Sequence, residues 1–349
     1  MPRQNPTLAD VAREAQVSAA TVSRCLHGDS SSVRPDTFNR VLAAAQKLRY
    51  QVNTSAQSIA RGRSRTIALI VADISDPFNA AIADGVLRAA DTHNHHVVIS
   101  AGNDPVRLVD ALRGHNPQAM IVIGSRRLDP ARNNQLADVL ELFRQAGGSV
   151  TVVSQRGFPF HTIEIDNYNL SCRLATELTA LGYRKFGILS GPADLVTTAD
   201  RVAGFTAGLA ASGLHPVPQA IVHSSFDRDG GYRAVEGIAG LAPGTVDAIF
   251  AVNDLVAIGA MTRLRELGVR IPDEIAVAGF DDMTIATDVT PALTSMRIHM
   301  TGIGERAVEM ALSPAAPGID LHYDLISGEP IIRASTPERP TAPNPPPER

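Results

Sequence analysis

The 349-residue sequence predicts an α/β protein in which a small helical unit precedes a larger body of two lobes, each built on a doubly wound parallel sheet. Three observations support this architecture. Residues 7–28 contain two short amphipathic segments joined by a tight turn, strands alternate with helices from residue 66 onward, and a second series of the same kind begins near Asp166. The chain length allows two or three domains.

Residues 7–28 carry the periodicity of two helices. The apolar positions at helical spacing are Leu8, Val11, Ala12, Val22 and Leu26. Thr7 and Ser18 stand at the two N-cap positions, and Gln16-Val17 breaks the first helix. The polar side of the second helix suits the DNA major groove, which is wide enough to admit a helix. A helical hairpin that packs on another part of the chain is the alternative.

Charge is distributed unevenly along the chain. Residues 1–65 contain ten Lys or Arg and four Asp or Glu, a net charge of +6, although the whole chain carries −4. A basic unit on an acidic body is typical of a unit that binds a polyanion, because phosphate neutralisation supplies most non-specific DNA affinity. A solvated basic face is the alternative.

Cysteine usage and hydropathy predict the cellular compartment of the protein. Cys25 and Cys172 fall in different predicted domains, so we expect neither a disulfide framework nor a zinc site. The sequence shows no apolar signal core and no run of membrane-spanning length, so we expect a cytoplasmic protein without a membrane partner. A sugar-binding transport component, which would need an export signal, is thereby disfavoured.

A third helix and a linker follow the first two helices. Pro35 can begin the third helix, whose apolar stripe runs to Leu48. In the linker, residues 51–65, Asn53 can cap a short helix that continues through Ala60. A helix this short is unstable alone and would form on a partner; a flexible tether is the alternative. The predicted domains are therefore 1–50, 51–65, 66–336 and a Pro-rich tail, 337–349, expected to be disordered.

The body alternates apolar runs with helical stretches. The predicted strands are TIALIVADI, HVVIS, AMIVIG, SVTVVS and HTIEI in the first series and KFGIL, AIVHS, AIFAV and IAVAGF in the second. We predict a first lobe of about 66–163 and 295–322 and a second of about 164–294 and 323–336. Ligands of open α/β sheets bind at the carboxyl ends of the strands, which predicts a cleft between the lobes.

Several motifs carry a resemblance that covers nearly the whole chain. Residues 10–24, D-V-A-x-x-A-x-V-S-x-x-T-V-S-R, resemble the N-terminal signature of the lactose/galactose repressor family, and ADRVAGF, FAVNDLVAIGAM and VAGFDD match further along. The resemblance implies a helix-turn-helix DNA-binding head, a hinge helix and a two-lobed, periplasmic-binding-protein-like body. It also implies a homodimer that binds a pseudo-palindromic operator as a repressor under the control of a small effector.

The resemblance assigns DNA contacts to particular residues. It places Ala19, Ala20 and Arg24 where bases are read, and Arg24 could bind a guanine edge bidentately. Ile59, followed by Ala60, takes the position of the aliphatic side chain that wedges a base step in the minor groove. The hydroxyl and amide side chains suit phosphates; they are Thr7, Ser18, Thr21, Ser23 and Asn53. The alternative for Thr7 and Ser18 is that they cap helices and do not contact DNA.

The same resemblance assigns the effector site. The candidates are Asp73, Phe78, Asn79, Gln155, Arg201, Phe226, Asn253 and Asp281. Carboxylates, an arginine, amides and an aromatic face together suit a sugar, polyol or nucleoside. Alternatively, Arg201 and Asp281 pair only with each other, or Phe226 belongs to the core. We expect Asp254 to cap the helix that follows it.

The remaining features favour no second activity. His93–His96, HNHH, suggests a metal, but no ligand of suitable spacing accompanies it, so we expect neither metal nor cofactor. Arg126 and Arg127 could reach a ligand phosphate or lie exposed. An enzyme is disfavoured because no strand is followed by G-x-G-x-x-G or a phosphate loop and no G-x-S-x-G elbow occurs.

Overall fold

The computed structural model describes residues 6–26, 33–50, 64–313 and 321–339. It forms two compact units, Met1–Ser64 and Arg65–Arg349. The predicted linker contacts Asn53, Ile59 and Ala60 lie outside the described residues.

Three helices make up the N-terminal unit: α1 (Leu8–Glu14), α2 (Ala19–Leu26) and α3 (Pro35–Leu48). Thr7 and Asp10 form both halves of the capping box, with Thr7 N donating to Asp10 Oδ2 at 2.9 Å. Val11, Val22 and Val41 meet in the centre and are fully buried. One apolar residue from each helix therefore closes this small core, as the helical spacing predicts.

The first lobe of the body contains a parallel six-stranded sheet. Its elements are β1 (Thr66–Val71), α4 (Pro77–Thr92), β2 (His96–Ala101), α5 (Pro105–Arg113), β3 (Ala119–Ile123), α6 (Pro130–Gln145), β4 (Ser149–Val153) and β5 (His161–Ile165). A later strand, β11 (Tyr323–Ile326), pairs with β5, which gives the order β11-β5-β4-β3-β1-β2. β1 and β3 are almost wholly buried because helices cover both sheet faces.

The second lobe repeats this plan. Its elements are α7 (Asn167–Ala180), β6 (Phe186–Ser190), α8 (Val196–Ala210), β7 (Pro216–His223), α9 (Arg228–Ala234), α10 (Glu236–Ala239), β8 (Ala248–Ala251), α11 (Asp254–Glu266), β9 (Ala276–Asp281) and β10 (Thr294–Arg297). With β12 (Glu329–Ile331), the order is β12-β10-β9-β8-β6-β7, and β12 alone in this sheet runs antiparallel. The two-lobed, doubly wound prediction is confirmed.

The chain crosses between the lobes at different points from those predicted. β10 pairs with β9 and so stays in the second lobe, whereas α12 (Met300–Leu312) packs against α4 of the first. β11 belongs to the first sheet and β12 to the second, so residues 323–326 were assigned to the wrong lobe, as were 164–165 and 295–297. These strands are three to five residues long, and a short strand carries no sequence signal for its sheet.

Part of the predicted disordered tail is docked. The Tyr183 hydroxyl donates to Pro337 O at 2.8 Å, and the Arg339 guanidinium lies 4.8 Å from the centre of the Tyr183 ring. Arg339 N also donates to Leu181 O at 2.8 Å. Residues 337–339 thus gain contacts that the Pro-rich composition does not reveal, and residues 340–349 lie outside the described part.

Local sequence signals set the limits of the body helices. α6 begins at Pro130 because Asp129 caps it and a proline fits the first turn. α8 begins at Val196. Residues 228–239 form two short helices, α9 and α10, and not one. In the described ranges no helix has both the length and the hydropathy to cross a membrane.

Candidate binding cleft and N-terminal surface

A cavity of about 770 Å³ lies between the two lobes. The carboxyl ends of β1, β3 and β4 in the first lobe and those of β6, β8 and β9 in the second line this cavity. Seven of the eight predicted effector residues line this cavity: Phe78, Asn79, Gln155, Arg201, Phe226, Asn253 and Asp281. The structure therefore brings together residues that span more than 200 positions of sequence.

Arg201 is buried at the floor of the cavity, with 4% of its surface exposed. Its guanidinium donates to Asn167 Oδ1 at 2.7 Å, to Val252 O at 2.6 Å and to Asp281 Oδ1 at 3.0 Å. It also lies 3.8 Å from the centre of the Phe280 ring. Arg201 and Asp281 do pair with each other, and both still line the cavity, so the two interpretations of this pair are compatible.

Asp281 ends β9 with a φ of 103°, which turns its side chain out of the strand direction. Burial raises the pKa of Asp281 to about 6, although the ion pair with Arg201 acts in the opposite direction. Near neutral pH the carboxylate is ionised and one of its oxygens accepts from Arg201. The other oxygen is suited to accept a hydrogen bond from a ligand hydroxyl.

Asp73 is the predicted effector residue that does not line the cavity. Its carboxylate accepts from Ser75 N at 2.8 Å and from Ser75 Oγ at 2.7 Å, and these bonds lower the pKa of Asp73. Asp76 lines the cavity instead. Asp76 accepts from Phe78 N at 3.0 Å as the cap of α4, and burial raises its pKa. The sequence carried a signal for Asp76. It directly precedes Pro77, the first residue of α4, and an Asp at this position is suited to cap the helix that follows β1.

Gln155 connects the two lobes. Its side-chain oxygen accepts from Arg126 N at 2.7 Å, and its side-chain nitrogen donates to Thr197 Oγ1 at 2.6 Å. Arg126 follows β3 of the first lobe, whereas Thr197 lies in the first turn of α8 in the second. A glutamine can both accept and donate, and an aspartate at this position could not donate to Thr197.

Residues 125–128 and 194–197 form an interlobe strip around this contact. Val196 N donates to Arg126 O at 2.9 Å, and Leu128 N donates to Asp194 O at 2.8 Å. The Arg127 guanidinium and the Asp194 carboxylate are paired across the same strip. The other arginine considered for a phosphate, Arg126, donates through Nη1 to Arg156 O at 2.7 Å, whereas its buried Nε has no hydrogen-bond partner. The strip holds the lobes together along one side of the cavity.

The residue that caps α11 is Asn253, which also lines the cavity as predicted, and not Asp254. Asn253 Oδ1 accepts from Val256 N at 2.9 Å and caps α11, and its Nδ2 donates to Phe226 O at 2.8 Å. Asp254 is fully buried and accepts from Ser295 Oγ at 2.6 Å and from Met283 N at 2.7 Å. The predicted capping role of Asp254 is therefore wrong, because its carboxylate points to β10 and the loop after β9. Burial, with the nearby Asp281, raises the pKa of Asp254 well above its usual range.

Apolar side chains form another wall of the cavity. Phe226 is half-buried, packs on the core and lines the cavity, so both interpretations of this residue apply. Phe158, Val106 and Leu136 extend the apolar wall into the first lobe. No sequence pattern pointed to these three residues, because they lie on a loop and on two helices, α5 and α6, that only the fold brings together.

The N-terminal unit presents the predicted recognition helix. Ala19, Ala20 and Arg24 are exposed on α2, and Arg24 Nε donates weakly to Ala20 O at 3.4 Å. Ser18 Oγ accepts from Thr21 N at 3.1 Å, so Ser18, like Thr7, is a cap. Thr21 and Ser23 are half-buried on the same helix. As caps, the exposed hydroxyls of Thr7 and Ser18 lie next to backbone N–H groups at the starts of α1 and α2. Such N–H groups can also donate to a phosphate.

Metal binding receives no support from the described residues. Within them, no group of three or more His, Cys, Asp or Glu side chains is placed to hold a metal ion. In the HNHH segment, His95 is already engaged, with Nε2 3.1 Å from Gln118 Oε1 and Nδ1 2.8 Å from His93 O.

Comparisons with known proteins agree with this geometry. Residues 7–53 match the family model described as bacterial regulatory proteins, lacI family, and residues 175–336 match the periplasmic binding protein-like domain. The transcriptional regulator CelR of Thermobifida fusca is 31% identical over 302 residues, which cover 84% of this chain and 87% of that protein. GalS of Salmonella typhimurium is 32% identical over 321 residues, covering 90% and 92%.

Solved structures show the same architecture. A complex of CelR with cellobiose superimposes with a TM-score of 0.69 at 28% identity, over 95% of this chain and 99% of that one. A Lac repressor dimer bound to operator and an anti-inducer gives a TM-score of 0.80 at 22% identity, with coverage of 95% and 99%, which supports the fold alone.

A helix-turn-helix unit followed by a two-lobed body with a cleft is the architecture of a DNA-binding transcriptional regulator. The chain belongs to the lacI family of bacterial DNA-binding transcriptional regulators, which the N-terminal motif had indicated. The relatives named above are regulators rather than enzymes, in agreement with the sequence analysis.

Proposed function

We propose that this protein is a homodimeric repressor that binds a pseudo-palindromic operator and changes its affinity when a small sugar-like effector occupies the interlobe cavity. The observation that carries the proposal is the buried Arg201–Asp281 pair at the floor of a cavity that aromatic side chains also line. Fixed charged groups orient hydroxyls, and an aromatic ring covers an apolar sugar face. The CelR–cellobiose complex supports a sugar in particular.

The volume and charge of the cavity narrow the effector class. About 770 Å³ is within the range of small-molecule sites. Arg201 and Arg127 are both paired with carboxylates, and the third arginine that lines the cavity, Arg132, lies 4.0 Å from the Asp129 carboxylate. Asp76, Asp281 and Asn253 add oxygen and amide groups. We therefore expect a neutral, hydroxyl-rich effector, a sugar, polyol or nucleoside, in preference to a sugar phosphate.

Contacts to DNA would come from α2. Arg24 is the exposed cation of that helix and is suited to bidentate recognition of guanine, while Ala19 and Ala20 allow close approach and contact with a thymine methyl group. Thr7, Ser18, Thr21, Ser23 and the linker residue Asn53 are assigned to phosphates, with Ile59 and Ala60 at the minor-groove wedge.

The dimer would form partly through the edge strand β2. Val98 and Ile99 on β2 and Leu87 on α4 are exposed apolar residues of one region of the first lobe, each with about 40% of its surface accessible. Exposed apolar side chains beside an unpaired strand edge favour association with another chain. Two α2 helices in a two-fold dimer then fit two half-sites related by the same axis.

A thermal-shift screen of the full chain against sugars, polyols, nucleosides and sugar phosphates tests the effector assignment. A ligand at about 100 times its Kd stabilises the folded state by about 2.7 kcal/mol, which is easily detected. The shift should disappear in Arg201→Met and persist in Arg263→Met, because Arg263 pairs with Glu236 and Glu266 outside the cavity. A shift that persists in Arg201→Met would contradict the proposed site.

Selection of duplexes from a randomised pool tests the DNA assignment. The full chain should recover a pseudo-palindromic sequence, and the effector should change its affinity for that duplex. Recovery of no sequence above background, or of a site without two-fold symmetry, would contradict the homodimeric repressor.

A further inference from the structure

The interlobe cavity extends beyond its polar floor into the first lobe. Six apolar side chains line this extension: Ile70 of β1, Val122 of β3, Val152 of β4, Val106 of α5, Leu136 of α6 and Phe158 of the loop after β4. These side chains carry no hydrogen-bonding group. We call these six residues the apolar recess.

The recess lies on the face of the first-lobe sheet that α5 and α6 cover. Ile70, Val122 and Val152 belong to the hydrophobic cluster under these two helices. The apolar residues next to them in each strand belong to the main core cluster instead, because successive side chains of a strand point to opposite faces. All six residues of the recess come from the first lobe, whereas Arg201 and Asp281 of the polar floor come from the second.

The buried amide beside the recess is already bonded. Asn133 lies one turn before Leu136 on α6, lines the cavity and is buried. Its Oδ1 accepts from Arg127 N at 2.9 Å, and its Nδ2 donates to Arg127 O at 2.7 Å. Asp104, which caps α5 at the rim, is exposed and accepts from Arg107 N at 3.1 Å. A ligand group that enters the recess therefore meets apolar surface.

Contacts within the chain hold the aromatic wall of the recess. The Arg126 guanidinium lies 5.5 Å from the centre of the Phe158 ring, and its Nη1 donates to Arg156 O at 2.7 Å. Gly157 has a φ of 123°, and a Cβ there would lie 2.4 Å from Arg126 Nη1. The loop thus passes close to the arginine because a glycine precedes Phe158. A wall that is already held loses little conformational freedom when it binds a ligand.

Two chemically different surfaces therefore line one cavity. Its volume of about 770 Å³ accommodates a drug-sized ligand, so a sugar ring at the polar floor leaves the recess to a second group. A second sugar, or a nucleobase with its N–H and C=O groups, would leave polar groups unpaired in the recess. Each such group lowers affinity by about tenfold or more. An apolar group raises affinity there, because it leaves water without losing hydrogen bonds.

We propose that the effector is a glycoside with an apolar aglycone, whose sugar binds at the Arg201–Asp281 floor and whose aglycone fills the apolar recess. An aromatic aglycone also gains ring contacts with Phe158. This inference rests on the proposed binding of a sugar-like effector in the cavity and narrows its class. The recess determines specificity for the aglycone, and the polar floor determines it for the sugar.

The test compares three compounds for each of three sugars by calorimetric titration of the full chain. The methyl and phenyl β-D-glycosides of glucose, galactose and xylose differ only in the aglycone. Cellobiose, lactose and xylobiose carry a second sugar in its place. For at least one sugar, the phenyl glycoside should bind about 10- to 100-fold more tightly than the methyl glycoside, the gain expected for burying an aromatic ring. It should also bind more tightly than the matching disaccharide.

Two substitutions at one position assign this gain to the recess. Leu136→Asn places a polar side chain there, and Leu136→Phe fills it with a larger apolar one. Both should remove most of the phenyl gain and leave the Kd of the methyl glycoside nearly unchanged, which also shows that the cavity is folded. The matched control is Leu142→Asn on the same helix, at a position that is 49% exposed and outside the cavity. This control should keep the full gain.

The outcomes separate the inference from the proposed function. Methyl and phenyl glycosides of equal affinity for every sugar would overturn the inference and leave a sugar-responsive repressor. The same holds for a disaccharide that binds more tightly than its phenyl glycoside, or for a phenyl gain that persists in both Leu136 variants. Binding of none of these compounds would overturn the inference together with the sugar-like effector of the proposed function.

Discussion

The side-chain amide of Gln155 donates to Thr197 Oγ1 at 2.6 Å, and this bond joins the carboxyl end of β4 in one lobe to the first turn of α8 in the other. Gln155 also lines the cavity, as does Thr197. The contact that closes the cleft and the surface that would meet an effector are therefore shared. Any ligand that engages Gln155 must keep or replace a bond between the lobes.

Loss of this bond should loosen the interlobe strip. Thr197→Val removes the acceptor with little change of shape and leaves the Gln155 amide unpaired, which costs about 1 kcal/mol or more. Hydrogen exchange of the Val196 and Leu128 amides, which bond across the strip, should become about fivefold faster. Thr262→Val is the control, since its hydroxyl bonds only within α11, to Ile258 O. Unchanged exchange in Thr197→Val would mean that the strip does not depend on Gln155.

Asp281 should make stability depend on pH in a definite direction. The folded state holds its proton up to about pH 6, whereas an unfolded Asp loses it near pH 4. The folded state therefore binds the extra proton between pH 4 and 6, and the Asp281 contribution to unfolding free energy falls by about 3 kcal/mol as pH rises through that window.

Urea unfolding of the parent and of Asp281→Asn at several pH values measures this effect. The unfolding free energy of the variant should not show this decrease between pH 4 and 6. Loss of the ion pair with Arg201 changes its unfolding free energy by an amount that does not depend on pH in this range. Asp288→Asn, at an exposed position in the loop after β9, should retain it. Parallel pH profiles for the parent and Asp281→Asn would contradict the raised pKa.

Arg24 should determine one position of the operator. Arg24→Ala removes the exposed guanidinium of α2 and should reduce discrimination at a single base pair by about 1–3 kcal/mol. A panel of operators substituted at every position measures the effect. Arg40→Ala, at an exposed site on α3, should lower affinity evenly across the panel if it has any effect. Unchanged preference in Arg24→Ala would exclude base reading by this residue.

Because α12 packs closely on α4, alanine substitutions at Gly304 and Gly302 of α12 should change the stability of the body in opposite directions. A Cβ at Gly304 would clash with the carbonyl oxygen of Ile82, whereas a Cβ at Gly302 meets nothing within 4 Å. Gly304→Ala should therefore destabilise the body by about 2 kcal/mol or more, and Gly302→Ala should stabilise it by about 0.5–1 kcal/mol. Thermal melting of both variants compares them directly, and equal melting temperatures would mean that α12 can move away from α4.

Local patterns in the chain were sufficient for the order and type of nearly all elements. The buried runs at β1 and β3 and the caps at Thr7 and Ser18 are signals that act over a few residues, so they were readable in advance. The resemblance also led to seven residues that the structure gathers around the cavity. Asp76 and not Asp73 lines the cavity, because two carboxylates three residues apart precede the same helix and only the backbone path decides which one turns inward.

The sequence by itself determined a basic helix-turn-helix unit, an α/β body with two strand-helix series, and the family to which the chain belongs. Tertiary structure decided which strands complete each sheet, how residues 337–339 dock on Tyr183, and that Gln155 meets Thr197. These features depend on contacts between residues far apart in sequence, and such contacts leave no local periodicity from which they could be predicted.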